Sequence, residues 1–157
     1  MKLLDKLNKL EEGFVMVCFA VMGIVLALQI FMRYVLNSPL IWSEELARYV
    51  FVWATFIGAG YGVRKKIHIS VELFYGLMPR KLKLAVTIFT NTLCVLAFAY
   101  LIPWSFVVLK DQVNIKSSAM QISMSLVFAA VPLGCFIVCL RLIGDTVHTV
   151  KTKGENL

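Results

Sequence analysis

The sequence predicts an all-α integral membrane protein: a four-transmembrane-helix bundle with both termini cytoplasmic. Three observations predict it. The 157 residues are 60% hydrophobic with a mean hydropathy of +0.82, where globular chains are about 45–50% apolar. The excess falls in four long runs, at about 14–36, 41–63, 85–109 and 122–142, within one membrane domain, 1–157. Finally, the basic residues behind the formal charge of +7 flank those runs. That pattern is what membrane topology requires, so nucleic acid is not the expected partner and membrane lipid is.

The first run, from Phe14 to Leu36, gives roughly 35 Å of helix at ~1.5 Å per residue, enough to span. It is too long for a signal-peptide core, and no A-x-A cleavage site follows it. Before it, Leu3, Leu7 and Leu10 share a face while Lys2, Lys6 and Lys9 lie elsewhere. This reads either as a short interfacial helix or as a plain charged flank. The second span starts near Pro39 or Ser43 and ends at Val63. Pro103 lies near the end of the third and Pro132 inside the fourth. Each removes a backbone donor and predicts a kink that neighbouring helices tolerate.

Of the sixteen Lys and Arg, twelve lie in the N-terminal flank, the segment between spans two and three, and the C-terminal tail. The other four are Arg33, Arg48, Lys110 and Lys116. The positive-inside rule therefore places both termini in the cytoplasm. So strong a bias also argues against a dual-topology exporter.

The centres of the spans carry no ionisable residue, the usual marker of an ion or substrate path. His68 and His148 sit in or near the cytoplasmic flanks, which disfavours a pair of axial haem ligands. Cys18, Cys94, Cys135 and Cys139 all lie in apolar runs and read as packing residues; Cys135 and Cys139 share a helix face. No catalytic residue, metal site or cofactor is expected. Thr87, Thr90 and Asn91 in the third span read as interhelical polar glue.

The second span is the informative one. At 100° per residue, Glu44, Arg48, Phe51, Thr55, Gly58 and Gly62 share one stripe, with Ala54 at its border. Glu44 and Arg48 have the favourable i, i+4 orientation, although an exposed pair contributes only about 0.3–0.5 kcal/mol. Gly58-x-x-x-Gly62 lets a helix approach closely. Lipid is a poor partner for such a face, which predicts protein contact, either within this chain's own bundle or with another subunit. Arg33 ends the first span beside Gln29. With Glu44, Glu45 and Arg48 it makes a neutral cluster suited to locking the first two helices or to docking. Ser43 reads as an N-cap, Glu44 and Glu45 suit the helix N-terminus, and Trp42 and Tyr34 suit the interfacial aromatic belt.

Arg33-Tyr34, Trp42-Ser43-Glu44-Glu45-Leu46-Ala47-Arg48-Tyr49, Phe56-Ile57-Gly58-Ala59, His68-Ile69-Ser70-Val71-Glu72 and Leu77-Met78-Pro79 occur in that order. Together they resemble the small membrane subunit (DctQ-like) of tripartite ATP-independent periplasmic (TRAP) transporters. Glu72 departs from the aspartate expected there in many relatives. The resemblance implies a non-catalytic scaffold in the bacterial inner membrane, multi-pass and unfused. Its implied partners are a large membrane subunit, which carries substrate and sodium sites and moves like an elevator, and a periplasmic binding protein. The implied cargo is an organic acid: a dicarboxylate, a sugar acid or a sialic acid. The expected interface residues are Arg33, Trp42, Glu44, Glu45, Arg48, Thr55, Gly58 and Gly62. The alternative is an independent four-helix exporter or channel using Glu44 or Glu45, a reading their place at the outer end disfavours.

Overall fold

A computed structural model describes residues 2–64 and 79–151. Five helices follow in order: α1 Lys2–Tyr34, α2 Ile41–Arg64, α3 Arg80–Asp111, α4 Met124–Phe128 and α5 Ala130–Lys151. Four stretches are long and apolar enough to cross a membrane: Asn8–Tyr34, Ile41–Val63, Leu82–Asp111 and Met124–Lys151. The protein is a multi-pass, all-α membrane protein. The motifs at His68–Glu72 and Leu77–Met78, and most of the basic segment that sets the topology argument, lie outside the described residues.

Helix α1 is continuous, so residues 2–12 extend the first span and form no separate interfacial helix. Gly13, where the charged flank meets the apolar run, does not break it. The helix closes at Asn37, which adopts the left-handed conformation with φ 50°. Asparagine tolerates that conformation better than most residues. There the Val35 and Ser38 amides donate to the Phe31 and Met32 carbonyls at 2.8 and 3.1 Å.

Helix α2 begins at Ile41, two residues before the expected cap. Ser43 therefore lies inside the first turn, fully buried, and its hydroxyl donates back to the Leu40 carbonyl at 2.6 Å. Pro103 sits within an unbroken α3. Pro132 acts differently: it lacks the N–H that would meet the Phe128 carbonyl, and its ring crowds that carbonyl. The fourth span accordingly breaks between α4 and α5, with Pro132 in the first turn of α5, where the missing donor matters least.

The spans pack as a row, α1 along α2, α2 along α5, and α5 along α3, with no extensive contact from α1 to α3. On α1 the covered positions include Glu11, Val15, Cys18, Met22, Val25, Gln29 and Met32, which make a single 4–3 seam. Helix α3 shows a similar seam at Leu84, Ile88, Asn91, Val95, Phe98, Ile102 and Ser105. Helix α5 has neighbours on two sides, and Ala130, Cys135, Val138, Cys139 and Leu142 are buried along it. The buried thiols at 135 and 139 fit their reading as small apolar packing groups.

Two glycines set the α2–α5 distance. A Cβ on Gly134 would stand 2.6 Å from the Phe56 Cβ and 2.7 Å from the Phe56 carbonyl oxygen. One on Gly60 would stand 2.7 Å from the Ile137 Cγ2. Gly58, by contrast, faces Val15 of α1 at an ordinary 3.7 Å, and Gly62 faces open space. Within this chain the close approach is made at Gly60 and Gly134, and not at Gly58 or Gly62.

Candidate functional site

The C-terminus of α1, the N-terminus of α2, the C-terminus of α3 and the start of α4 lie at one end of the row. The charged residues predicted to cluster there are separated. Glu44 and Glu45 are consecutive, so their side chains leave α2 about 100° apart. Glu44 turns toward α1, where Gln29, buried in the seam, donates its amide to the Glu44 Oε1 at 2.6 Å. Among the described residues no ion pair joins Glu44 to Arg48, which corrects the expected i, i+4 pairing; Gln29 has taken the carboxylate instead. Arg33 is exposed, with its guanidinium 6.0 Å from the Tyr34 ring centre. The four-residue neutral cluster does not form as a unit.

Glu45 turns the other way, toward the connection from α3 to α4. Residues 116–123 there form a small hairpin. Lys116 and Ser123 pair as an antiparallel bridge, and the Ser117 and Met124 amides donate to the Ile122 and Ile115 carbonyls at 2.8 and 2.9 Å. Gln121 makes the reversal with φ 55°. The Ser117 hydroxyl, buried beneath the turn, accepts from the Ile122 amide at 3.3 Å. Two successive N–H groups at the tip then point at one carboxylate: Ala119 donates to Glu45 Oε1 and Met120 to Glu45 Oε2, each at 3.0 Å. One turn further along α2, the Tyr49 hydroxyl reaches the Met124 sulfur at 3.5 Å.

The remaining predicted residues lie on the outward face of α2. Arg48, Phe51 and Thr55 are exposed, as is Glu44 beyond its bond to Gln29. Trp42 is 39% exposed at the helix start. The Thr55 hydroxyl donates to the Phe51 carbonyl at 2.8 Å, so its donor is used within the helix. Arg48 has no partner among the described residues. The stripe thus points away from the chain's own neighbours, except at Gly58. Ala54, at the border of the stripe, is buried.

The other end of the row holds further polar links, one of which sequence reasoning missed. Arg141, counted above as a tail charge, lies in α5. It passes over Gly60, whose absent side chain leaves the room, and pairs with Glu11 and with Asn8 of α1. Between α3 and α5, Asn91 donates to Asp145 at 3.0 Å and to Thr146 at 3.2 Å. Asn91 is thus the polar glue expected of it, while Thr90 is exposed.

This arrangement resembles a structural module more than a transport path: its carboxylates are engaged by amides, and the polar links join helices at the two ends. The family model for the DctQ component of tripartite ATP-independent periplasmic transporters matches residues 14–152. The chain belongs to that family. It is a family of transporter permease subunits, not of enzymes. The sialic acid TRAP transporter permease protein SiaT of Haemophilus influenzae (strain 86-028NP) is 33% identical over 147 residues, 93% of this chain and 24% of SiaT. The sialic acid TRAP transporter small permease protein SiaQ of Vibrio cholerae is 33% identical over 89 residues, 56% of this chain and 51% of SiaQ. The C4-dicarboxylate TRAP transporter small permease protein DctQ of the same organism is 26% identical over 95 residues, 60% of this chain and 40% of that protein. The matched segments span about half or less of these relatives.

Proposed function

We propose that this DctQ-family chain is the small scaffold subunit of a sodium-coupled TRAP importer in a bacterial inner membrane. It works with a large membrane subunit and a periplasmic binding protein to take up an organic acid. The relatives' names favour a sialic acid or a C4-dicarboxylate. One observation carries the scaffold role: the α2 stripe of Glu44, Arg48, Phe51 and Thr55 is exposed on a spanning helix although it bears two charged residues. Charges facing lipid are costly, and Arg48 has no partner among the described residues. The large subunit covers this face, with Arg33, Trp42 and Gly62 at its margins. Gly58 supports it from behind by seating Val15, and Glu45 holds the neighbouring loop. In this role the chain contributes width and anchoring, and the other subunit carries the substrate.

Co-expression with a large TRAP subunit tests the reading. A stable complex is expected with the wild type, and Arg48→Ala should lower its yield while the isolated chain melts as before. Proteoliposomes holding both subunits and the binding protein should take up substrate only with an inward sodium gradient. Uptake by this chain alone would overturn the proposal.

A further inference from the structure

We infer that Glu45 and Arg141 are positioning residues that act as two latches: they fix the angle at which the α1–α2 pair crosses the α3–α5 pair, and so preset the face on which a partner subunit seats. The last clause rests on the reading above that the large subunit covers the α2 stripe.

The α2–α5 seam holds distance better than it holds angle. Its closest contacts are Gly134 against Phe56 and Gly60 against Ile137, a short stretch on each helix. Glycine lets two helices approach but offers no side chain to key them together. Packed helix pairs of one class still differ by about 15–20° in crossing angle. Each pair of helices has its own ties. Within α1–α2, Gln29 donates to Glu44 at 2.6 Å and Tyr61 to Glu12 at 3.3 Å. Within α3–α5, Asn91 donates to Asp145 and Thr146. None of these bonds sets the angle between the pairs.

Other bonds cross from one pair to the other, at both ends of the seam. At the outer end the Ala119 and Met120 amides each reach Glu45 at 3.0 Å. The hairpin that carries them is closed by its own backbone bonds at 2.8 and 2.9 Å, so a pull on Glu45 passes to α3 and α4. Hydrogen bonds to an ionised acceptor are about twice as strong as neutral ones. At the inner end Arg141 of α5 reaches past α2 to α1, where it donates to Asn8 at 3.0 Å and pairs with Glu11. The Arg141 and Glu11 side chains are only 18% and 17% exposed, which limits screening of the pair.

Leverage makes these bonds effective. Glu45 stands about 16–22 Å along α2 from Phe56 and Gly60, at ~1.5 Å per residue. A hydrogen bond is lost beyond about 3.5 Å, so the slack of ~0.5 Å confines the crossing angle to about 1–2°. Freed to swing through about 15–20°, the same end would move by about 4–8 Å. With the seam as a fixed pivot, either latch alone holds the angle. Only the loss of both releases it.

The test uses the full chain in nanodiscs, as wild type, Glu45→Ala, Arg141→Ala and the double variant. Glu45→Gln combined with Arg141→Lys gives a milder double, which should widen less and covers the case in which the first does not fold. Nitroxide-bearing unnatural amino acids replace the exposed Leu36 and Val107 at the outer end, or Leu10 and Val150 at the inner end, and the distance distribution of each pair is read. Each single variant should keep the wild-type spread, and the double variant should widen it by about 4–8 Å at both ends. The Cys135 thiol, buried in the seam, should stay as unreactive to a dye as in the wild type. On co-expression with the large subunit, the double variant should yield about tenfold less complex, the loss expected when the competent angle is populated about a tenth of the time. An unchanged spread in both doubles overturns the latches. Single variants that each loosen only their own end show local ties and overturn the pairing, and a reactive Cys135 shows that the two residues merely keep the seam shut. A widened spread with unchanged complex yield overturns the preset face. A wild-type chain that forms no complex overturns the subunit reading instead, and the distances still decide whether the latches exist.

Discussion

Replacing Gly134 by alanine should part α2 from α5. The added Cβ would lie 2.6 Å from the Phe56 Cβ, 2.7 Å from its carbonyl oxygen and 2.9 Å from its carbonyl carbon. These atoms belong to the helix backbone or are fixed to it, so no rotamer change relieves them. Ordinary contact needs about 3.5–4.0 Å, so the helices must separate by about 1 Å, and a gap of that size forfeits up to about half of each nearby dispersion contact. Overpacking of a close-packed site costs about 1–3 kcal/mol, and a backbone clash belongs at the upper end. Alanine returns about 1 kcal/mol of helix propensity. The net loss should be about 2 kcal/mol. Gly58→Ala is the control: its Cβ meets Val15 at 3.7 Å, so only the propensity gain remains, and the variant should equal or exceed wild type. The two variants should differ by about 3 kcal/mol in detergent unfolding, the sum of that loss and gain. A thiol-reactive dye gives a convenient signal, because Cys135 is fully buried beside Gly134 and labels only when this seam opens. If Gly134→Ala melts at or above wild type, or Gly58→Ala is the weaker of the two, the seam assignment is wrong.

Other outcomes follow from the polar links. Arg141→Ala removes the α5 contact with Glu11 and Asn8, and should cost about 1–3 kcal/mol while making the N-terminal part of α1 more protease-sensitive. The Gln29–Glu44 bond should be asymmetric in double-mutant tests. Glu44→Ala strands a buried amide and should cost about 1–3 kcal/mol, whereas Gln29→Leu leaves an exposed carboxylate to water and should cost less. Asn91→Leu should lower bundle stability by about 0.6–1.7 kcal/mol, measured in bicelles, through loss of its bonds to Asp145 and Thr146.

The fold was legible to the degree that it is written in local patterns. The bounds of α2 follow from an apolar run after Pro39, and the break near Pro132 follows from its missing donor. Continuity of α1 was harder to read, because charged Met1–Glu12 has helical spacing whether it lies on a membrane or extends a span. The stripe on α2 follows from helical spacing, but which glycine meets a neighbour in this chain does not. Gly58, Gly60 and Gly62 sit in one short run, and only the position of α5 decides which of them is approached closely. Glu45 posed a different difficulty. Its partners are backbone amides of Ala119 and Met120, which carry no side-chain signature, so nothing at those positions marks them as donors. Arg141 looked like a topology charge because its partner Glu11 lies 130 residues away.

The row of helices also has a bearing on how the chain assembles. Helices α1 and α2 are neighbours in sequence and in space, joined by a short turn at Asn37, so that hairpin closes at little entropic cost. Helices α3 and α5 form a second such unit through the 112–123 connection. The α2–α5 seam is the main packing contact between the halves, beside the Arg141–Glu11 pair and the Glu45 bonds to the loop, and both of its helices must be in place before Gly134 can seat against Phe56. The meeting of two glycine-bearing surfaces is thus the contact that joins two helical hairpins into one bundle.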